Sequence, residues 1–390
     1  MWGKHASLWQ LRVSFVITVT FNRVNRVVTP RICAVGALAF CCQKPTAVPT
    51  SNFRTSIRGH HMQKTHRLAL AALALLGSTA AFAQSSVTLY GRVNTTVERQ
   101  KVGDSTVTGL FNNASRFGFK GVEDLGGGLK AGFQLESGFN SDTGTTDSRG
   151  FFARQSEVNL SGGFGMVRLG RWTAESYFAT ADYVSLHNHD TGSSADAFYA
   201  SVMRNQFTNS NSVAYRTPSF GGLTVEGAVS MHEQTSGGKN LYDLAANYNL
   251  GALALGAGYS KLGDSNQFAL RALYTTGPFM VGAYYQRSDD WDAMSDTAAA
   301  VGKRDNFRLS GAYIMGASEF HLNVGRANSY KNLTDSAATQ YTLGYNYNLS
   351  KRTKVYGYYT RVNNDRNASY ATGVAGADFS SVAVGVRHNF

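Results

Sequence analysis

The chain has 390 residues and a formal net charge of +12, but the positive charge is unevenly distributed. Ten of the 37 basic residues and none of the 25 acidic residues precede Gln84. From Gln84 onward 27 basic residues face 25 acidic ones, so the overall charge does not indicate a nucleic-acid-binding protein. The same part contains no cysteine, which excludes a disulfide-stabilised fold.

Residues 62–83 have the three parts of a secretory signal peptide. A short cationic segment starts at Met62, an apolar run follows at 68–77, and Ala81-Phe82-Ala83 forms a cleavage site before Gln84. The apolar run is too short for a spanning helix. We therefore expect export and cleavage after Ala83, the alternative being an N-terminal core helix.

Residues 1–61 contain all three cysteines and eight basic residues, and they share no pattern with the rest of the chain. A signal peptide works from the N-terminus of a protein, so an N-terminal extension of 61 residues before it is unexpected. We predict that translation starts at Met62 and that residues 1–61 are a doubtful extension from a mis-assigned start. The alternative is an unusually long leader that is removed with the signal.

Residues 84–390 are predicted to form a single domain of sixteen strands. Each strand is a segment of about ten residues in which apolar and polar side chains alternate, the length that a tilted strand needs to cross a bilayer. The predicted strands are 87–97, 115–123, 129–139, 151–161, 166–172, 211–217, 223–232, 241–250, 252–261, 267–276, 279–287, 306–315, 319–326, 340–349, 353–362 and 380–390.

The connections between these segments alternate between short turns and long polar loops. The predicted long loops are 99–114, 140–150, 173–210, 233–240, 262–266, 288–305, 327–339 and 363–379. Short turns on one side and long loops on the other are typical of a membrane barrel, and a soluble β-sandwich has no reason to keep this pattern. The fold class is therefore predicted to be all-β, a 16-stranded antiparallel transmembrane β-barrel.

A barrel of sixteen strands encloses water, since about eight strands already fill their interior with side chains. The faces predicted to point inward carry a set of arginines that outnumbers the inward acids Glu136 and Glu226. These candidate wall residues are Arg92, Arg116, Arg168, Arg216, Arg271, Arg308 and Arg387. The 38-residue connection 173–210 carries the acids Glu175, Asp182, Asp190 and Asp196. It is either an exposed surface loop or a constriction folded into the lumen.

Three motifs resemble the general trimeric porins of Gram-negative bacteria, in particular their β-proteobacterial branch. They are S-R-F-G-F-K-G-V-E-D-L-G-G-G-L-K-A-G-F-Q-L-E-S-G-F at 115–139, L-S-G-G-F-G-M-V-R-L-G-R at 160–171 and the terminal G-V-R-H-N-F. The resemblance implies a homotrimeric outer-membrane channel whose third external loop folds inward. It also implies that Arg116 and Arg154 are wall arginines facing acids of that loop, and that Phe390 is an assembly signal.

On this basis we expect a water-filled channel for small hydrophilic solutes and ions, with a weak to moderate preference for anions. Arg154 shares strand parity with Val158 and Leu160, so an inward position requires a bulge or a place above the lipid band. The expected partners are outer-membrane lipid and lipopolysaccharide. A solute-specific porin, a surface-loop adhesin or receptor, and a barrel enzyme are the alternatives.

We expect no catalytic site, cofactor or metal. His187, His189 and Asp190 could hold a metal ion, but a polar loop is the simpler interpretation of that cluster. Gly126-Gly127-Gly128 lacks the Lys-Ser/Thr of a phosphate-binding loop and is interpreted as a turn.

Overall fold

The computed structural model describes residues 86–182, 184, 192–200, 208–233, 238–290 and 301–390. The strands are β1 Ser86–Val102, β2 Ser105–Asn112, β3 Arg116–Gly126, β4 Leu129–Gly138, β5 Gln155–Gly162, β6 Gly165–Thr173, β7 Thr208–Arg216, β8 Leu223–Ser230, β9 Leu241–Leu250, β10 Leu253–Leu262, β11 Ser265–Thr276, β12 Phe279–Asp289, β13 Lys303–Met315, β14 Ser318–Ala327, β15 Ala338–Asn348, β16 Thr353–Asn364 and β17 Phe379–Asn389. A short helix α1 (Glu175–Tyr177) leads into a π-helical turn (Phe178–Asp182). No helix in these ranges is long and apolar enough to cross a membrane. The predicted signal peptide and the extension before it lie outside them.

The strands form one closed antiparallel sheet. From β3 to β17 each strand pairs with the next one along the chain, and β17 pairs with β1. Strand β1 pairs with β2 along its second half and with β3 along its first half. Because β2 and β3 are successive parts of one wall strand, the seventeen segments make a barrel of sixteen strands. The predicted fold class and strand number are confirmed.

The break between β2 and β3 is a bulge at residues 113–115. Ala114 has a φ of 52° there, in the left-handed region. The side chain of Ser115 accepts a hydrogen bond from the backbone N–H of Asn94 at 3.0 Å, and Asn94 Nδ2 donates to the carbonyl of Asn113 at 3.0 Å. These bonds replace the ladder hydrogen bonds that the bulge interrupts, so the wall stays closed.

The barrel wall exposes apolar side chains on its outer face and buries polar ones on its inner face, the reverse of the distribution in a soluble protein. In β17, Val382 and Val384 are 56% and 65% exposed, whereas Ser381 and Ala383 are 1% and 2% exposed. The same alternation recurs around the barrel, with apolar side chains outward and polar ones inward. Since lipid covers the outer face and closure leaves no unpaired strand edge, this arrangement is stable only in a membrane.

The prediction of a long loop is wrong for two connections. The segments 99–114 and 262–266 are instead hairpins, in which the strands continue to two-residue turns at Gly103-Asp104 and Gly263-Asp264. Both glycines have positive φ, 55° and 61°, as tight hairpin turns require. Polar strand ends above the lipid band resemble loops in composition, which explains the error.

The described parts of the connection between β6 and β7 pack apolar side chains against the barrel interior. Tyr177, Val184 and Tyr199 cluster with Ala269 of β11 and Tyr284 of β12. Further along the connection, Phe198 packs with side chains of β14, β15, β16 and β17. These contacts hold the connection against the wall and determine where its charged groups lie.

Candidate functional site

The barrel encloses a cavity of about 900 Å³. Arginines from β1, β3 and the connection before β5 line one part of it. Asp182 and Asp196 of the β6–β7 connection line another part, together with Tyr177. The wall side of the cavity has the acids Glu98 and Glu136 as well as the arginines, and the only charged groups that the connection adds among its described lining residues are acidic.

Arg92, Arg116 and Arg154 form an arginine cluster, and two of its members lie beside the carboxylate of Glu136. Arg154 Nε lies 2.6 Å from Glu136 Oε1, and Arg116 Nε lies 3.7 Å from the same oxygen. The Tyr90 hydroxyl donates to Glu136 Oε2 at 3.0 Å. Arg92 is the cross-strand partner of Arg116, and its Nε donates to the carbonyl of Ala114 at 3.2 Å. Three guanidinium groups and one carboxylate leave a formal charge of +2.

The position of Arg154 depends on where β5 begins. The sequence predicts a strand over 151–161, but β5 starts at Gln155, so Arg154 belongs to the preceding connection. The alternation of a strand does not apply to it, and its side chain reaches Glu136. In the same connection Arg149 Nη2 lies 2.5 Å from Asp147 Oδ2. The hydrogen bond from Arg149 holds the pKa of Asp147 below its usual range, against the effect of partial burial.

Arg168 and Arg216 belong to a carboxylate network with Glu157, Glu175 and Glu226. Arg216 Nη2 lies 2.5 Å from Glu175 Oε2, and its Nε lies 2.8 Å from Glu226 Oε2. Arg168 pairs with Glu226 and also lies 3.4 Å from Glu157 and 3.6 Å from Glu175. Three carboxylates around two guanidinium groups give a formal charge of −1. These two predicted wall arginines are therefore neutralised.

Glu175 is the member of the carboxylate network that comes from the β6–β7 connection. Burial is the largest influence on its pKa and raises it, since a buried carboxylate loses hydration. The charges of Arg216 and Arg168 oppose this effect, whereas those of Glu226 and Asp243 add to it. The net result is a pKa above the usual glutamate value.

Asp196 and Arg308 form a buried ion pair that fastens the connection to β13. Arg308 Nη2 lies 2.6 Å from Asp196 Oδ1, and the Arg308 side chain has no exposed surface. The Tyr284 hydroxyl also donates to Asp196. Burial acts to raise the pKa of Asp196, but the Arg308 charge and the hydrogen bonds outweigh it and hold the pKa below its usual range. Arg308 thus anchors the connection and does not line open water.

Two more buried carboxylates bind the connection, and sequence analysis missed both. Asp243 of β9 accepts from the backbone N–H of Ser176 at 3.1 Å and from its hydroxyl at 2.5 Å. Glu98 of β1 accepts from Ser193 at 2.7 Å and from Tyr358 at 2.8 Å. Glu98 has the same strand parity as Arg92, so extending the first predicted strand by one residue would have found it.

The remaining predicted wall arginines differ in their surroundings. Arg271 is only 6% exposed, and its Nη2 donates to Asn247 at 3.4 Å and to the carbonyl of Leu255 at 3.3 Å. Arg387 is partly buried and lies on β17 opposite Lys354 of β16. Of the predicted acids, Asp182 lines the cavity, and Asp190 lies outside the described residues.

Phe390 joins the two ends of the sheet. Its backbone N–H donates to the carbonyl of Gly91 at 3.0 Å, and the N–H of Gly91 donates back at 3.0 Å. The Phe390 ring covers Gly91 so closely that a Cβ there would lie 2.5 Å from its Cζ. The last residue therefore completes the ladder between β17 and β1.

Within the described residues, no three His, Cys, Asp or Glu side chains are grouped so that they could hold a metal ion. His187, His189 and Asp190 of the metal alternative lie outside those residues.

A closed sixteen-stranded barrel with an apolar outer face and a charged interior defines a membrane channel. A family model described as "Gram-negative porin" matches residues 69–367, and the chain belongs to this family. It is 34% identical to Outer membrane porin protein 32 of Delftia acidovorans, over 84% of this chain and all of that one. It is 30% identical to an outer membrane porin protein of Bordetella pertussis, over 82% of this chain and 99% of that one.

Solved structures agree with the assignment. An anion-selective porin from Comamonas acidovorans superposes with a TM-score of 0.66 at 31% identity, over 79% of this chain and all of that one. Salmonella typhi OmpF superposes with a TM-score of 0.62 at 15% identity, over 78% of this chain and 97% of that one, and shows the fold alone. The protein is therefore an outer-membrane channel for the passive diffusion of small hydrophilic solutes.

Proposed function

We propose that this porin is a homotrimer with a weak preference for anions and no catalytic role, and that its β6–β7 connection narrows the channel. The observation that carries the proposal is the arginine cluster, where Arg116 and Arg154 lie beside the carboxylate of Glu136 and Arg92 is the cross-strand partner of Arg116. Asp182 belongs to the connection and lines the same cavity. Basic and acidic groups on different parts of one aqueous passage favour one sign of ion and orient dipolar solutes.

The preference is weak because the other charges of the interior largely cancel. The carboxylate network has a formal charge of −1, and the Asp196–Arg308 pair is neutral and buried. Arg149 is paired with Asp147. Among these described groups, the arginine cluster carries the net positive formal charge, and salt screens it within about 10 Å at 0.1 M.

The contacts of the connection support its role as a constriction. Its described parts form hydrogen bonds with side chains on the buried face of β1, β9, β12, β13, β15 and β16. A glycine at 256 on β10 leaves room for the carbonyl of Ala179, since a Cβ there would lie 1.8 Å from that oxygen. A segment bound on this face reduces the cross-section that remains for water.

Planar-bilayer recording of the purified full-length protein tests the proposal. We expect conductance steps in groups of three and, in a salt gradient, a reversal potential of the sign that indicates anions. Arg116→Gln and Arg154→Gln should each lower the preference. Cation selectivity of the wild type contradicts the proposal, as do single steps without grouping. Saturable flux of one solute indicates a solute-specific porin, and the absence of conductance indicates an adhesin or receptor.

The processing of the chain belongs to the same proposal. We infer cleavage after Ala83, with a mature barrel of residues 84–390 among outer-membrane lipid and lipopolysaccharide. N-terminal sequencing of the protein from outer membranes should begin at Gln84. A peptide from residues 1–61 in the same preparation contradicts a translation start at Met62.

A further inference from the structure

The outer surface of the barrel has an open groove across β11, β12, β13 and β14, with a volume of about 580 Å³. Its floor is formed by two small residues, Ala272 and Ala283, which are cross-strand partners. The larger side chains of Leu270, Phe307, Leu309 and Val324 stand around this floor. An indentation bounded by apolar side chains is complementary to a flexible hydrocarbon chain.

The groove faces the lipid. Leu270, Phe307, Leu309 and Val324 are between 43% and 58% exposed, and they alternate with buried side chains such as Arg271 and Arg308. Because period-two alternation places these two sets on opposite faces of the wall, the groove belongs to the lipid-covered face. Its natural neighbours are the acyl chains of the membrane.

One end of the groove is polar and basic. Arg326 and Thr339 line it there, and Arg326 Nη1 donates to Thr339 Oγ1 at 2.8 Å. Arg326 is the next-to-last residue of β14, which ends at a long connection, so this end lies toward the cell exterior. The groove therefore runs from a guanidinium group at the outer boundary into the apolar band.

Arg326 differs from Arg287 and Arg361, two other arginines near the outer ends of wall strands. Arg287 lies 3.7 Å from Asp305, and Arg361 lies 3.0 Å from Asp378. Within the described part of the chain, Arg326 makes no ion pair with a carboxylate and is exposed. A guanidinium group in that position is available for a planar, bidentate contact with a phosphate.

We propose that this groove binds a phosphorylated lipid of the outer leaflet, with the phosphate on Arg326 and Thr339 and one acyl chain over Ala272 and Ala283. The proposal rests on the outer-membrane placement and defines where the lipid partner of the proposed function binds. It does not depend on ion selectivity. The occupant is a lipid because the apolar lining and the unpaired basic end match the two parts of one amphiphile.

Native mass spectrometry of the full-length trimer, exchanged into a neutral detergent and titrated with a diphosphorylated hexa-acyl glucosamine lipid, tests the proposal. Arg326→Gln should weaken binding about fivefold, as expected for one basic residue at an anionic lipid surface. Ala283→Phe fills the groove and should weaken binding of the same lipid. Arg361→Gln is the matched control, because Arg361 is an outward arginine at the same end that is already paired with Asp378 and lies off the groove. It should change binding less than twofold.

Three outcomes overturn the proposal. The first is equal binding by wild type, Arg326→Gln and Ala283→Phe. The second is equal binding of the same lipid after its phosphates are removed, because the arginine then has no role. The third is an intersubunit disulfide in Ala283→Cys trimers, because a second copy of the chain then covers the groove. Unchanged single-channel conductance of each variant shows that the barrel is folded and separates this test from that of ion selectivity.

Discussion

Arg154 and Glu136 form an ion pair inside the barrel, with 2.6 Å between Nε and Oε1, although Arg154 precedes the strand whose alternation would direct it toward lipid. Glu136 is a carboxylate that both Arg116 and Arg154 approach. Its charge therefore lowers the positive potential that the arginine cluster presents to the cavity.

Neutralising Glu136 should increase the anion preference. Glu136→Gln removes one negative charge from a group with a formal charge of +2, so the permeability ratio of anion to cation should rise by up to about fivefold, the factor for one charge at about 4 Å in water. Arg154→Gln should change the ratio in the opposite direction. Reversal potentials at low salt measure both effects, and Asp142→Asn in an exposed part of the β4–β5 connection is the control. Equal shifts in all three variants contradict this prediction.

Removing the charge of Asp196 should loosen the β6–β7 connection. Asp196→Asn leaves Arg308 buried without its carboxylate, which costs about 3–5 kcal/mol when such a pair is broken. Because the barrel ladder remains intact, we expect noisier single-channel current and faster proteolysis of the connection with no loss of barrel. Asp264→Asn, whose side chain is fully exposed beside Lys239, should behave as wild type. If the current noise of Asp196→Asn equals that of the wild type, the anchoring role is refuted.

Ion selectivity should depend on pH through Glu175. Its raised pKa means that the carboxyl takes up a proton, as the pH falls, before an ordinary glutamate does. Protonation removes one negative charge beside Arg168 and Arg216, so the anion preference should increase on mild acidification. Mild acidification should also raise the free energy of unfolding, because the folded state binds more protons than the unfolded state in this range. As the pH rises, the ionised Glu175 destabilises the folded state. Reversal potentials measured between pH 7 and pH 4.5 should show this change in wild type and a smaller one in Glu175→Gln.

A methyl group at position 256 should displace the connection from β10. In Gly256→Ala the Cβ would lie 1.8 Å from the carbonyl oxygen of Ala179, a backbone atom that cannot rotate away. Overpacking of this kind costs about 1–3 kcal/mol. Because the connection must move away from the wall, single-channel conductance should fall. Gly311→Ala is the control, since its Cβ would meet only the carbonyl of Met280 at 3.9 Å. Equal conductance in both variants argues against the constriction.

Loss of the terminal aromatic ring should reduce assembly in cells more than refolding in vitro. The backbone bonds between Phe390 and Gly91 do not need the ring, so Phe390→Ala should still refold from denaturant into detergent micelles. We expect a lower yield of heat-resistant protein in outer membranes, measured by gel mobility. A similar deficit in both assays shows that the ring acts through packing on Gly91 and not as an assembly signal.

Much of the barrel was predictable because strand alternation is a local property. Segments such as Leu241–Leu250 were located from apolar side chains at every second position, and the number of strands followed from their sequence. The same rule identified Arg92, Arg168 and Arg216 as residues on the inner face. The Gly-Asp turns at 103–104 and 263–264 carried a hairpin signal in the sequence as well, although their polar flanks concealed it.

The pairing of charges could not be predicted in this way. Glu175 meets Arg216, and Asp196 meets Arg308, only after a long connection returns to strands as many as 112 residues away along the chain. Alternation specifies the face of the sheet to which a side chain belongs. It carries no information on which side chains share that face across the lumen, because this depends on closure of the sheet and on the path of the connection. The sequence alone thus determined a lipid-facing barrel with a charged interior, and the tertiary structure decided which of those charges remain available to ions.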